Sequence, residues 1–95
     1  MNCLPELNKP QWWVYMVRTA SGKLYTGITT DVERRFQEHQ QTSRGKGSKG
    51  AKFFRSDLPR AVVYREACAN RSVASRREAL IKRLSASQKQ QLAEQ

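Results

Sequence analysis

The sequence predicts a small α+β domain in which a three-stranded antiparallel sheet is flanked by helices, in the order β-β-α-β-α-α. Three short runs rich in β-branched and aromatic residues predict the strands, and two capping-box patterns predict helix starts. A length of 95 residues with 38% hydrophobic residues suits one core. We expect a single domain over residues 1–95, with its core over 12–84 and a short terminal helix over 85–95.

The first two strands should form an antiparallel hairpin. Residues 12–19 (WWVYMVRT) and 24–29 (LYTGIT) have strand composition, and residues 20–23 between them have turn chemistry. Gly27 inside the second run indicates a close backbone approach or a bulge.

A helix should follow the hairpin and extend to about Gln41. Thr30 and Glu33 have capping-box spacing, and Asp31 is an alternative cap. The apolar positions expected on the buried side of this helix are Val32 and Phe36.

The third strand is predicted over residues 60–67 (RAVVYREA), just after Pro59. The second helix should begin near Asn70 or Ser72. Its expected apolar stripe consists of Val73, Leu80, Ile81 and Leu84.

A terminal helix is predicted after a break at Ser85. Ser85 and Gln88 again have capping-box spacing, and Leu92 lies inside the helical segment that follows. This segment completes the predicted order of elements.

The charge of the chain points to a polyanionic partner. Eighteen Lys and Arg residues against eight Asp and Glu residues leave a net charge of +10, which attracts nucleic acid phosphates from a distance. Four cations spaced by Gly and Ser suggest a loop that follows a phosphate backbone: Arg44, Lys46, Lys49 and Lys52. The alternative is a solvated loop on a surface whose charge serves solubility.

Several classes of protein are excluded by what the sequence lacks. No run approaches the roughly 18 apolar residues of a membrane span, and the first ten residues do not form a secretory signal. Cys3 and Cys68 have no metal-ligand spacing, and the glycines match neither phosphate-binding motif. We therefore expect a soluble cytoplasmic protein with reduced thiols and no membrane partner.

Five scattered residues could carry chemistry: Tyr15, Tyr25, Arg35, His39 and Glu78. Taken singly, each has an ordinary structural explanation. Arg35 and His39 lie four apart on the first helix, as surface polar residues often do. Glu78 has the spacing of an ion pair with Lys82, and tyrosine is a favoured strand residue.

Taken together, these residues resemble a known family. Trp13-Val14-Tyr15 followed by Tyr25-Thr26-Gly27 resembles the paired motif of the GIY-YIG nuclease superfamily. Residues 30–39 are similar to that family's first helix, in which an arginine is followed four residues later by His or Tyr. Residues 78–82 resemble the later helix that supplies a metal-binding glutamate. The likeness spans residues 12–84 and is greatest to small stand-alone bacterial members.

The sequence departs from the family pattern in two places. Trp13, Val14 and Thr26 replace the first glycine and two isoleucines of the paired motif. Many nuclease members also continue after the glutamate helix into a segment with an asparagine of the site, whereas residues 85–89 (SASQK) contain none.

The resemblance implies metal-dependent hydrolysis of a DNA phosphodiester bond. Glu78 would bind a single Mg²⁺ or Mn²⁺ ion, and Arg35 would hold the scissile phosphate. Tyr15 would deprotonate the attacking water, and Tyr25 would orient either this water or the phosphate. His39 would accept the proton of Tyr15 or act as the base itself. The two tyrosines share a face only if the hairpin pairs odd positions with odd ones.

Contacts to the DNA backbone would come from cations around this site: Lys23, Arg34, Arg44, Lys46, Lys49 and Lys52. Such contacts give little sequence specificity, so the hypothesis is an endonuclease for structured DNA, as in repair, with specificity from DNA shape or a protein partner. The alternatives are a nucleic-acid-binding module with a vestigial site, and a protein-interaction module. The oligomeric state is left open by the sequence.

Overall fold

The computed structural model describes residues 10–43, 54 and 56–94, and within these ranges three strands form one antiparallel sheet. The elements in chain order are β1 (Trp12–Thr19), β2 (Leu24–Thr29), α1 (Val32–Ser43), β3 (Pro59–Cys68), α2 (Arg71–Lys82) and α3 (Ala86–Ala93). The order across the sheet is β2-β1-β3. The predicted α+β class and element order are confirmed.

The central strand β1 is apolar on both sides because both faces of the sheet are covered. Its even-numbered residues Val14 and Met16 are buried in a cluster with Ala74 and Ile81 of α2. Its odd-numbered residues belong to a second cluster, which contains Tyr15, Val17, Val32 and Phe54. A strand covered on both faces shows a continuous apolar run in place of alternation.

The register of the β1–β2 hairpin places Tyr15 and Tyr25 on the same face of the sheet. Tyr15 lies opposite Gly27, and Val17 lies opposite Tyr25. Odd positions therefore pair with odd ones, and both tyrosines point to the face of the sheet that α1 covers.

The helix caps are local, as the sequence predicted. Asp31 is the cap of α1, since its Oδ1 accepts the Arg34 N–H at 3.0 Å. The helix is thus capped by Asp31, the alternative to the capping box of Thr30 and Glu33. Asn70 caps α2 by accepting the Val73 N–H at 2.9 Å. Ser85 and Gln88 form both bonds of the predicted capping box at the start of α3.

The predicted apolar stripe of α2 is half wrong. Ile81 is buried and Leu84 is partly buried, but Val73 and Leu80 are 36% and 54% exposed. The small residue Ala74 is buried in their place and lies seven positions before Ile81, on the same side of the helix. Close approach of the helix at Ala74 turns Val73 and Leu80 outward.

None of the helices described is long and apolar enough to cross a membrane.

Candidate active site

The centre of the candidate site is a buried hydrogen bond between a phenol and an imidazole. The hydroxyl of Tyr15 lies 2.7 Å from Nε2 of His39. Tyr15 comes from β1 and is 1% exposed, and His39 comes from α1 and is not exposed at all. Two residues 24 positions apart in the chain are thus joined where α1 packs on the sheet.

A glycine makes room for the tyrosine ring. A Cβ atom added to Gly27 would lie 2.8 Å from the Tyr15 hydroxyl oxygen and 3.0 Å from Cζ. Because β2 is an edge strand, the ring passes over Gly27 and carries the hydroxyl toward the free edge of β2. The close backbone approach expected at Gly27 is confirmed.

Aromatic side chains enclose the imidazole. The ring of Tyr25 lies 5.2 Å from that of His39, edge to face. The centroid of the Phe54 ring lies 4.4 Å from the centroid of the His39 ring and 4.8 Å from that of the Tyr25 ring. Phe54 is fully buried, although no sequence motif assigned it to the site. The Phe-Phe pair in an otherwise polar segment was the signal that could have found it.

Arg35 brings positive charge to the same place. Its Nη1 lies 2.8 Å from Oε1 of Glu38, and both side chains are about three-quarters buried. Burial opposes the charge of Arg35, but the bond to Glu38 and the nearby phenols raise the pKa of the guanidinium above its usual value. Arg35 is therefore always charged here. Glu38 is a second residue that no sequence motif assigned to the site.

The electrostatics keep the phenol and the imidazole neutral at neutral pH. Burial, with smaller contributions from Tyr25 and Glu78, raises the pKa of Tyr15 well above its usual value, against an opposing effect of Arg35. Burial and the charge of Arg35 lower the pKa of His39 to about 4, and Glu38 offsets this only in part. The pair is a neutral phenol bonded to a neutral imidazole.

The second nitrogen of the imidazole is unusual. Nδ1 of His39 is buried and has no hydrogen-bond partner among the described residues. A buried polar atom without a partner costs free energy, and such atoms are rare in folded proteins. The bond to Tyr15 and the aromatic contacts are thus what orient the ring.

Glu78 approaches from the other side of the sheet. It belongs to α2, in which the preceding residue Arg77 binds Glu66 of β3. Its charge acts on the Tyr15 hydroxyl. Its carboxylate also forms the expected ion pair with Lys82, at 3.2 Å.

The remaining residues of the predicted site lie outside this cluster. Lys23 is exposed beside the hairpin turn, and Arg34 is exposed on the outer side of α1. Arg44, Lys46, Lys49 and Lys52 lie outside the described residues. The structure therefore brings together Tyr15, Tyr25, Arg35 and His39, with Glu78 in electrostatic range.

Comparisons with known proteins agree with this geometry. A family profile described as the GIY-YIG catalytic domain matches residues 11–91. The chain is 49% identical over 94 residues to UPF0213 protein DP2720 of Desulfotalea psychrophila, with 97% of this chain and 81% of that protein covered. It is 46% identical over 81 residues to UPF0213 protein YhbQ of Escherichia coli K12, with 85% and 75% covered. The solution NMR structure of UPF0213 protein BH0048 from Bacillus halodurans is similar, with a TM-score of 0.52, 32% identity and 88% and 83% coverage.

Proposed function

The chain belongs to the GIY-YIG family, and from this premise we propose that it is a metal-dependent DNA endonuclease. It would hydrolyse phosphodiester bonds of structured DNA, as in repair, with low intrinsic sequence specificity. The observation that carries the proposal is the 2.7 Å bond between Tyr15 and His39 beside the charged Arg35. A binding surface needs no such buried proton-accepting pair.

Tyr15 is the better candidate for the group that touches water. Both side chains are buried in the free protein, at 1% and 0% exposure, but the Tyr15 hydroxyl lies over Gly27 toward the edge of β2, whereas His39 is enclosed by aromatic rings. Because the pKa of Tyr15 is raised, its phenol takes a proton from water only if its own proton leaves at the same time. Nε2 of His39 is the acceptor within reach.

The two protons move in one concerted step. Water gives a proton to the oxygen of Tyr15, and Tyr15 gives its own proton to Nε2 of His39. The products are a hydroxide, a neutral phenol and an imidazolium. Burial and, to a smaller extent, Arg35 disfavour the imidazolium in the free protein, and the negative charge of a bound phosphodiester would offset the part due to Arg35. Substrate binding thereby favours the transfer.

Arg35 is suited to hold the scissile phosphate. The guanidinium offers several donors in a fixed plane, and one of them already binds an anionic oxygen of Glu38. A phosphate oxygen presents the same chemistry. Arg35 then stabilises the charge that develops on the phosphate in the transition state.

The residues present fit a single hard cation. The described residues contain no group of three or more His, Cys, Asp or Glu side chains that could hold a metal. Mg²⁺ is often bound by one or two carboxylates and keeps several waters, so Glu78 alone suffices, with Lys82 released from its ion pair. Mg²⁺ or Mn²⁺ held there would supply positive charge to the phosphate and the leaving oxygen.

The test is a cleavage assay on supercoiled plasmid and on flapped DNA with Mg²⁺, Mn²⁺ or EDTA. Glu78→Ala should reduce metal-dependent cleavage at least about a hundred-fold, with DNA binding retained. Glu94→Ala is the matched control, because Glu94 is an exposed carboxylate at the end of α3 that takes no part in the site, and this variant should cut as the unaltered protein does.

Two outcomes would contradict the proposal. Cleavage by Glu78→Ala at the unaltered rate would mean that the site is assigned wrongly. Salt-sensitive DNA binding without cleavage in either metal would favour the alternative of a nucleic-acid-binding module, to which the Glu78–Lys82 ion pair also lends support.

A further inference from the structure

A groove of about 360 Å³ lies at the hairpin end of the molecule, between the β1–β2 turn and α3. Gly22, Lys23 and Leu24 form one wall, and Lys89 and Gln90 form the other. The two walls are joined by a hydrogen bond of 3.2 Å from Nε2 of Gln90 to the Gly22 carbonyl. None of the residues that bring Tyr15 and His39 together lines this groove.

The groove is basic. Lys23 and Lys89 line it, and Arg18 lies behind it with its Nη2 bound to Oε1 of Gln90 at 2.9 Å. Of the described residues that line it, none is acidic.

The nearest carboxylate beside the turn is already engaged. Asp57 accepts hydrogen bonds from the hydroxyls of Thr19 and Ser21 at 2.8 and 2.6 Å, and from the Ser21 N–H at 3.1 Å. Donation from Ser21 lowers the pKa of Asp57, and Lys23 adds to this effect. The carboxylate closes the turn, and among the described residues neither Lys23 nor Lys89 forms an ion pair.

The composition of α3 is hard to explain by packing alone. Its sheet-facing side carries Leu92 and Ala93, which pack on the core, but also the partly buried Lys89 and Gln90. Apolar residues at these two positions would remove more apolar surface from water. The amide of Gln90 is accounted for by its bonds to Gly22 and Arg18, whereas Lys89 has no ion pair among the described residues, so its charge remains for an anionic ligand.

We propose that this groove binds a backbone phosphate of the DNA strand at a distance from the scissile phosphate, a proposal that rests on the proposed nuclease function. Lys23 immediately precedes β2 and lies four residues before Gly27, which is about 13 Å at the rise of a strand. That distance corresponds to about four nucleotides of stacked strand. The strand would follow the free edge of β2 from the groove to the Tyr15 hydroxyl.

Binding is tested first, because it does not depend on cleavage. The probe is a fluorescent flapped DNA, titrated with protein at several salt concentrations without divalent metal. Lys23→Ala/Lys89→Ala should make the dependence of log Kd on log salt shallower by about 1 to 2. The matched control is Arg71→Ala/Arg76→Ala, since both arginines are exposed on α2 and Arg71 lies against Trp12, at the opposite end of β1. It should change the slope less.

Position is tested by the length of the substrate. Two series of substrates are made. In the first, the DNA strand on one side of the mapped cleavage point is shortened from ten to two nucleotides, and in the second, the strand on the other side is shortened in the same way. With long substrates, the groove variant should have a kcat/KM at least about three-fold below that of the unaltered protein. Trimming one side below about four nucleotides should abolish this difference, and trimming the other side should not.

An unchanged salt slope, a slope equal to that of the control, or a cleavage defect independent of length on both sides would overturn the groove assignment. Failure of the unaltered protein to cut any substrate would contradict the nuclease proposal instead, and the salt slopes would still decide whether the groove binds DNA.

Discussion

A histidine placed out of contact with water is the residue on which the candidate site depends. His39 is enclosed by Tyr15, Tyr25 and Phe54, and its Nδ1 has no partner among the described residues. Burial of this kind favours the neutral imidazole. The lowered pKa makes His39 a weak base in the free protein, so in the proposed mechanism it accepts the Tyr15 proton only when a bound phosphodiester adds negative charge.

The burial of His39 predicts how stability depends on pH. The pKa of His39 is lowered to about 4 in the folded protein, below its unfolded value, so the unfolded chain binds the proton more readily. Stability is therefore constant above about pH 6.5 and is lost as the pH falls toward 4. We expect a loss of about 2 kcal/mol between pH 7 and pH 5, measured by urea unfolding.

The control for this prediction is His39→Gln, which removes the only histidine of the sequence. Carboxylates contribute little to the change in unfolding free energy above pH 5, because their pKa values in the unfolded chain lie near 4. The variant should be less stable throughout but nearly independent of pH between 5 and 7. An equal slope in both proteins would show that His39 is not the titrating group.

Gly27 is a second single residue with a direct consequence. In Gly27→Ala the new methyl group would lie 2.8 Å from the Tyr15 hydroxyl, so the ring must shift and the bond to His39 must lengthen. A displacement of about 1 Å can reduce turnover about a hundred-fold, and we expect a loss of that order in the plasmid assay.

A double-mutant cycle with Tyr15→Phe isolates this contact. The phenylalanine lacks the atom that the methyl group meets first, so Gly27→Ala should destabilise Tyr15→Phe less than it destabilises the unaltered protein. Equal losses of unfolding free energy in the two backgrounds would mean that glycine is required at position 27 by the strand backbone and not by contact with the Tyr15 hydroxyl.

At the scale of elements, α1 is anchored on one flank and carries the site on the other. The side toward β3 is held by the ion pair of Glu33 with Arg65, at 2.7 Å. Arg35 and Glu38 lie on the opposite flank, in range of the Tyr15 hydroxyl. The anchor orients the helix, and the other flank is left for chemistry.

The helix α2 repeats this arrangement on the other face of the sheet. The Tyr64 hydroxyl and Nε of Arg77 both donate to Oε1 of Glu66, at 2.6 and 3.0 Å, which holds the helix to β3. Glu78 is the next residue of α2, and its charge acts on the Tyr15 hydroxyl. The two helices therefore bring charged residues into electrostatic range of Tyr15 from opposite faces of the sheet.

The terminal helix depends on its cap. Ser85→Ala removes the side chain that accepts the Gln88 N–H at 3.1 Å, and it should lower the free energy of unfolding by about 1 kcal/mol. Ser87→Ala is the matched control, because Ser87 is exposed in the same helix and alanine is the better helix former. Equal unfolding midpoints for the two variants in urea would contradict the role of the cap.

At the scale of the whole molecule, a thin sheet covered on both faces brings distant residues to one edge. The site uses β1, β2 and α1 on one face and α2 on the other, while the basic groove lies at the turn, on the face that α2 and α3 cover. The net charge of +10 favours a nucleic acid strand on this surface. The proposed path of the strand therefore passes from one face of the sheet to the other around the edge of β2.

Much of this architecture was predictable from the sequence, because the signals are local. The bounds predicted for β1 and β2 are those observed, since strand composition and turn residues act over a few positions. The capping box at Ser85 formed for the same reason. The start of α1 at Asp31 was one of two alternatives that the sequence left open, because either residue can cap.

The sequence by itself determined the strands, the helix caps, the excess of charge and the motif that points to the family. Only the tertiary structure decided that the hairpin pairs odd positions with odd ones, that Phe54 closes the site and that Val73 and Leu80 face outward. Caps and turns depend on hydrogen bonds between near neighbours in the chain. Register, helix rotation and the burial of His39 depend on contacts between segments far apart in sequence, which are decided when the faces of the sheet are packed.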